Sequence, residues 1–351
     1  SMGMEFNDFV TLGGGSLYPR THGATTPNGT GYIKAFTNTL ADRENVQILM
    51  DTTGKSLITD GDKVVGVNAT GRDGNAVTLM ANKGVILATG GFAGNVELRQ
   101  KYCEGEKWPD LGPSLTTSNM PGVTGDGIFM AEAVGAELVD MDQIQLLPFC
   151  NPQTGATFDI TSANCFINKN GERFVKEDAR RDEFVAAIKK QPGGVVYDIN
   201  DSSIVKPLNS FNEDVETLVS IGRIYKADSL ADLAKQLGMP ADKLEATVAE
   251  FNKMVEAKND PKFGRKLFDR PIVKPPFYAT PRAPSIHHTM GGLQISTNAQ
   301  VLDKKGKPIP GLYAAGEVTG GIHGSNRLGG NATADVLTFG RIAAKSAVAH
   351  K

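Results

Sequence analysis

The sequence predicts a mixed α+β and α/β fold in which one domain, carrying an antiparallel β-meander, is interrupted by an inserted α+β segment. Three observations predict it. Short β-rich runs between residues 46 and 80 are separated by Asp60-Gly61 and Asp73-Gly74, the dipeptides that close tight hairpins. The apolar runs Val85-Ile-Leu and Tyr313-Ala-Ala each end close to glycines, as a buried strand does when it opens into a loop. Between residues 142 and 273 the texture becomes more polar and less strand-like. The expected organisation is therefore 1–142 with 273–351 as one domain, and 143–272 as the insertion.

In chain order, residues 12–22 form a glycine-rich loop ending at His22. Gly29 to Leu40 follows with Ile33, Phe36, Thr37 and Leu40 at helical spacing. The meander strands are expected at Val46–Met50, Ser56–Thr59, Lys63–Ala69 and Ala76–Met80. Gly84 to Leu87 is a buried strand that opens into Ala88-Thr-Gly-Gly91. Gly122-Val-Thr-Gly-Asp126-Gly127 precedes a helix from Ile128 to Gly135, with Thr124 or Asp126 as its N-cap. Asn168–Gly171 is a turn, and residues 172–182 lead into a helix through Ile188. Ser229 caps a helix with Leu230, Leu233 and Leu237 on one side. Pro240 starts another, striped by Leu244, Val248, Phe251 and Val255. The last helix runs from Ala332 to Ala349.

Charge is nearly balanced, with 37 Lys and Arg against 39 Asp and Glu, so nothing favours a nucleic-acid or polyanion partner. No apolar run reaches the length of a membrane span. The three cysteines, Cys103, Cys150 and Cys165, are widely spaced and form neither a metal nor a haem-attachment motif.

Chemistry concentrates in residues 285–332, where His287, His288, Glu317, His323 and Arg327 are interleaved with glycines. Glycines this dense let a ligand approach the backbone. The helix that starts near Asn331 offers N–H groups and a positive dipole end to an electron-rich atom. In an extended stretch the adjacent His287 and His288 point to opposite sides.

The runs His287-His288-Thr-Met-Gly-Gly, Gly311-Leu-Tyr-Ala-Ala-Gly-Glu317 and Asn326-Arg327-Leu-Gly-Gly-Asn-Ala resemble the flavoprotein subunit of soluble fumarate reductases of the flavocytochrome c type, relatives of urocanate reductase. The resemblance implies a glutathione-reductase-like FAD-binding domain with a capping domain inserted in it. It implies FAD as cofactor, with Asp126, His288, Glu317, Ala332 and Thr333 on the flavin side. It also implies a small unsaturated carboxylate as substrate, with His287, Arg327 and Gly330 binding it, and a haem or FMN domain or protein as possible electron donor. The activity implied is hydride transfer from flavin N5 to a C=C bond, with a cap arginine delivering the proton. The segment Asn170 to Asp182 matches the family's proton-donor motif well at its end, which maps that arginine onto Arg181, with Arg180 competing. An arginine can act so only if a carboxylate returns its proton; Asp159, Glu177, Asp178 and Asp182 are the candidates. A flavin-dependent dehydrogenase or oxidase of the related fold is the alternative activity.

The chain also departs from the pattern. Leu147, in Gln145-Leu-Leu-Pro-Phe149, stands where fumarate reductases have the histidine that binds the second carboxylate, and Thr157-Phe-Asp159-Ile-Thr161 replaces their proton relay. The expected substrate is therefore a monocarboxylate enoate, urocanate- or cinnamate-like, with Asp159 available to a cationic imidazole. No Gly-x-Gly-x-x-Gly unit opens the sequence, so weak FAD binding, or an inert fragment, is expected of these residues alone.

Overall fold

A computed structural model describes residues 2–11, 18–26, 29–103, 108, 110–157, 165–209 and 213–349. The first elements are β1 (Phe6–Thr11), β2 (Thr21–Ala24) and α1 (Thr30–Ala41). The meander follows as β3 (Thr53–Asp60), β4 (Lys63–Thr70) and β5 (Ala76–Met80), and leads to β6 (Val85–Leu87). Next come α2 (Val96–Tyr102), α3 (Asp126–Glu132), β7 (Leu138–Val139) and β8 (Ile144–Cys150). The inserted segment holds β9 (Cys165–Ile167), α4 (Arg181–Lys189), β10 (Val196–Asp201), α5 (Val215–Ser220) and β11 (Tyr225–Ala227). It also holds α6 (Leu230–Leu237) and α7 (Ala241–Ala257). The chain closes with β12 (Phe277–Thr289), β13 (Gly292–Leu293), β14 (Gln300–Leu302), β15 (Pro308–Ala314) and α8 (Asn331–Ala349).

The residues group into two compact units, Ser1–Thr39 with Leu146–Ser285 and Leu40–Gln145 with Ile286–Lys351. This grouping differs from the composition-based division chiefly in residues 1–39, which it assigns with the inserted segment.

In the unit built from residues 40–145 and 286–351, β3, β4 and β5 form the expected antiparallel sheet. Gly61 and Gly74 take φ of 57° and 80° at its two turns, the left-handed region that favours glycine. Val46–Met50, expected as another strand, lies outside the ladder with all five residues exposed. Its apolar run has no sheet face to cover it. A second sheet, ordered β14–β15–β6, pairs β15 with β6 in parallel, Tyr313 opposite Ile86. Tyr313 and Ala315 are buried with Ala343 and Ala347 of α8, so the helix covers that strand as its apolar spacing requires.

In the other unit, β12 pairs with β11, β10 and β8, and β10 pairs with β9. Side chains alternate between the two faces of this sheet. Cys165, Ile167, Tyr197 and Ile199 bury one face together with Leu233 of α6 and Leu244, Val248 and Phe251 of α7. Phe166 and Val196 bury the opposite face with Phe184 and Ile188 of α4. The α6 N-cap is as expected, Ser229 Oγ accepting from Asp232 N at 3.0 Å. The α+β character expected of residues 142–273 is present, but the central strand β10 carries little sequence signal. The signal is hidden because β10 reads Val-Tyr-Asp-Ile-Asn-Asp, with Asp198, Asn200 and Asp201 buried where an apolar pattern would be looked for.

Candidate active site

The segment before α4 is held by buried charges. Arg173 donates to both oxygens of Glu177 at 2.7 Å and to Asp260 Oδ2 at 2.9 Å, and Arg265 Nη1 lies 3.3 Å from Glu177. Burial opposes the Arg173 charge, but its hydrogen bonds to Glu177 and Asp260 outweigh that and hold its pKa above the ordinary value. Arg181 is the first residue of α4, directly after this segment, and Arg180 instead pairs with Asp182 at 2.9 Å. Asp178 Oδ2 accepts from the backbone N–H groups of Lys266 and Leu267. Glu177, Asp178 and Asp182 therefore all have other hydrogen-bonding duties, and Asp159 lies outside the described residues.

The other predicted residues belong to the unit containing residues 286–351. His287 and His288 diverge as the extended geometry requires. His287 Nδ1 is 2.8 Å from Ser118 Oγ, whereas His288 Nδ1 lies 3.4 Å from Glu317 Oε2. Glu317 follows Gly316, whose φ of 81° turns the chain after β15. Its Oε1 accepts from Thr289 N at 2.9 Å and Thr289 Oγ1 at 3.2 Å. A Cβ on Gly91 would lie 1.9 Å from Thr289 Oγ1 and 2.7 Å from Glu317 Oε1, so only glycine fits against this pair.

The His288 ring meets His323 edge-on at 5.5 Å between centroids, and His323 Nε2 is 3.0 Å from Asp335 Oδ2. Arg327 is buried; Gln145 Nε2 fixes its backbone by donating to the Arg327 carbonyl at 2.9 Å and to Asn326 Oδ1 at 2.8 Å. Gly330, with φ of 87°, delivers the chain into α8, so Ala332 and Thr333 occupy that helix's first turn. The structure thus gathers buried His288, Arg327 and Asp335 with half-buried Glu317 and His323 into one polar cluster. Asp126 lies apart from these contacts, exposed in a cleft lined by Thr53, Lys55, Ser56 and Phe129. It is not an N-cap, and neither is Thr124. Gly125 occupies that position without a side-chain bond, and Thr124 Oγ1 donates to Asp126 Oδ1 at 2.6 Å. No local sequence signal marks Ser118, Thr289 or Asp335, because each meets a partner distant in the chain or on another element.

Burial dominates the electrostatics. It pushes His288 down to about 2, helped by the Arg327 charge and the neighbouring His323 and His287, so the imidazole is neutral and its contact with Glu317 is not an ion pair. Burial also raises Glu317, against the Thr289 hydrogen bonds and Arg327, and lowers Arg327, against Glu317 and Asp335. A histidine whose folded pKa lies below its ordinary 6.5 contributes stability that is complete above pH 6.5 and is lost as pH falls. Glu317, being raised, has the opposite sign, so His288 is best isolated by difference. Relative to His288→Asn, the wild type is expected to lose about 1.4 kcal/mol of unfolding free energy for each pH unit below 6.5. Denaturant titrations of both proteins at pH 7 and 5 measure it, and parallel pH curves would contradict it.

A family model described as FAD binding domain matches residues 7–333. The NADH:acrylate oxidoreductase of Vibrio harveyi is 42% identical over 351 residues, covering 98% of this chain and 35% of that protein. The urocanate reductase of Eggerthella lenta is 37% identical over 333 residues, covering 92% of this chain and 54% of that protein. Among solved structures, the open conformation of a flavocytochrome c3 fumarate reductase matches with a TM-score of 0.78 and 35% identity, over 99% of this chain and 61% of that one. The chain thus spans between about a third and three fifths of the length of these relatives. FAD is the cofactor of the family. From the match across residues 7–333 and these similarities, the chain belongs to the FAD binding domain family, alongside the flavoproteins of fumarate, urocanate and acrylate reductases.

Proposed function

We propose that this chain is the flavin- and substrate-binding part of an enoate reductase that reduces the C=C bond of an α,β-unsaturated monocarboxylate. The observation that carries the reading is Arg327. It is a buried guanidinium whose Nε has no hydrogen-bond partner among the described residues, set in a glycine-rich loop at the start of α8. A buried cation with an unused N–H suits an anion, and a guanidinium fork suits a carboxylate best.

The residues fit FAD. Gly91 admits no side chain against Thr289 and Glu317, and Gly330, with φ of 87°, turns the chain into α8. Neutral His288, Glu317, Ala332 and Thr333 would hold its isoalloxazine side, with Asp126 assigned there by resemblance. When bound and reduced, FAD supplies a hydride. In this reading Arg327 and His287 take the substrate carboxylate, Ser118 orienting the imidazole through Nδ1. Gly330 offers its backbone to substrate. Arg181 gives a proton to the carbon that does not receive the hydride, and is recharged by a nearby acid. Asp159 stays the candidate partner for a cationic substrate end.

Monocarboxylate preference rests on the sequence departure at Leu147, which stands where fumarate reductases of the resembling family have a histidine. A second carboxylate there would be stripped of water without a partner, at a cost of several kcal/mol. The similarity to an acrylate oxidoreductase agrees with this. The test is a panel of acrylate, urocanate, cinnamate and fumarate given to the flavin-loaded, dye-reduced protein. At least one monocarboxylate is expected to exceed fumarate in kcat/KM by about 10²-fold. A preference for fumarate would refute the reading.

A further inference from the structure

The face of the β9–β10–β12 sheet that receives α4 carries a buried acid the proposed chemistry has not used. Asp198 is completely buried in β10, opposite Thr280 of β12 and Phe166 of β9. Its Oδ2 lies 3.5 Å from Nη2 of Arg282, itself 1% exposed. Arg282 Nη1 donates to the Phe149 carbonyl at 3.2 Å. The next residue, Cys150, is hydrogen-bonded by Ser285 and lies in the fields of both Arg282 and Arg181. Phe184, three residues into α4 from Arg181, packs on Phe166 at 4.8 Å and on Phe149 at 5.4 Å. Arg181, Arg282 and Asp198 therefore stand on one face, grouped around Phe149, Cys150 and Phe166.

We propose that Asp198, acting through Arg282, returns the proton that Arg181 gives to the substrate. This rests on the reading of Arg181 as proton donor. When Arg181 loses an N–H proton to the substrate carbon, its neutral guanidine takes one from the Arg282 guanidinium. Arg282 takes one from the Asp198 carboxylic acid, and the carboxylate left behind is reprotonated from solvent. Charge is conserved at each transfer, and the electrons come only from the reduced flavin.

Asp198 suits this better than its neighbours. Glu177 is saturated by Arg173 and Arg265, and Asp178 by two backbone N–H groups. Asp198 has a long contact to one arginine. Burial raises it to about 7, against the Arg282 charge and the Asn200 amide, so it holds a proton near neutrality. The groups whose charge or dipole bears on it are Arg282, Asn200 and Glu177, with the thiol of Cys165 on the sheet's other face.

The test compares flavin-loaded wild type, Asp198→Asn, Asp198→Glu and Arg181→Ala, with acrylate as substrate and a reduced viologen dye as donor. Wild-type kcat is expected to fall as pH rises above about 7, because the relay needs the acid form. Asp198→Asn is expected to lower kcat about 10²-fold, the low end for a positioned proton donor, with KM unchanged and the alkaline limb gone. Asp198→Glu is expected to restore part of both. Wild-type kcat and an unaltered limb in Asp198→Asn overturn the relay while leaving Arg181 in place. Activity in Arg181→Ala removes the reading on which the relay rests, and the relay with it. If Asp198→Asn does not fold, the wild type decides alone: a kcat flat from pH 5.5 to 8.5 overturns the proposal.

Discussion

Replacing Arg181 by alanine or lysine is expected to lower kcat by about 10²–10⁴, the span a positioned proton donor contributes, while substrate still binds. Proton delivery acts only in the transition state, so its loss belongs in kcat rather than KM. Lysine should not rescue, because an ammonium on a flexible stem does not reproduce a planar fork fixed at a helix start. Arg181 is placed at the start of α4, after a segment whose buried Arg173 is bonded both to Glu177 and to Asp260 beyond α7. Steady-state kinetics with a separate substrate-binding titration measure the effect. If Arg181 variants keep near-normal kcat and Arg180→Ala loses it, the role moves to Arg180.

Arg327→Ala is expected to raise KM roughly 30- to 150-fold, equivalent to the 2–3 kcal/mol of a charge-assisted hydrogen bond to the substrate carboxylate. The same change takes the cation away from Glu317 and Asp335, whose negative charges support it. Flavin content and thermal stability must therefore be followed alongside KM. Arg327→Lys keeps the charge and loses the fork, so a KM between wild type and alanine identifies bidentate binding. An unchanged KM in Arg327→Ala places the carboxylate elsewhere.

What could be read from sequence divides along physical lines. Local signals were legible. Asp60-Gly61 and Asp73-Gly74 need only adjacent residues to make a turn, and the stripe from Leu244 to Val255 needs only helical spacing. The divergence of His287 and His288 followed from the two-residue repeat of an extended chain. Long-range signals were not. The Ser118–His287 contact spans 169 residues, and the hydroxyl of Thr289 matters only once Phe92 and Glu317 reach it. Asp198 concealed both a strand and an acid, since a carboxylate in a buried strand contradicts the apolar alternation by which strands are recognised. Val46–Met50 failed in the opposite sense, having strand-like residues and no ladder.

The four side chains Arg173, Glu177, Asp260 and Arg265 restrict how this sequence can drift over generations. Each is 3% exposed or less in its side chain, so a replacement of any one leaves an opposite charge stranded in the interior. Breaking a buried pair this way costs about 3–5 kcal/mol. That is a large part of the roughly 5–15 kcal/mol that keeps a domain folded. Exchanging all four for well-packed apolar residues would be near neutral by the same physics, yet every single-step route to that state crosses the stranded intermediate. Lineages descending from this chain should therefore keep the four together or lose them together, and the loop leading to Arg181 inherits their immobility.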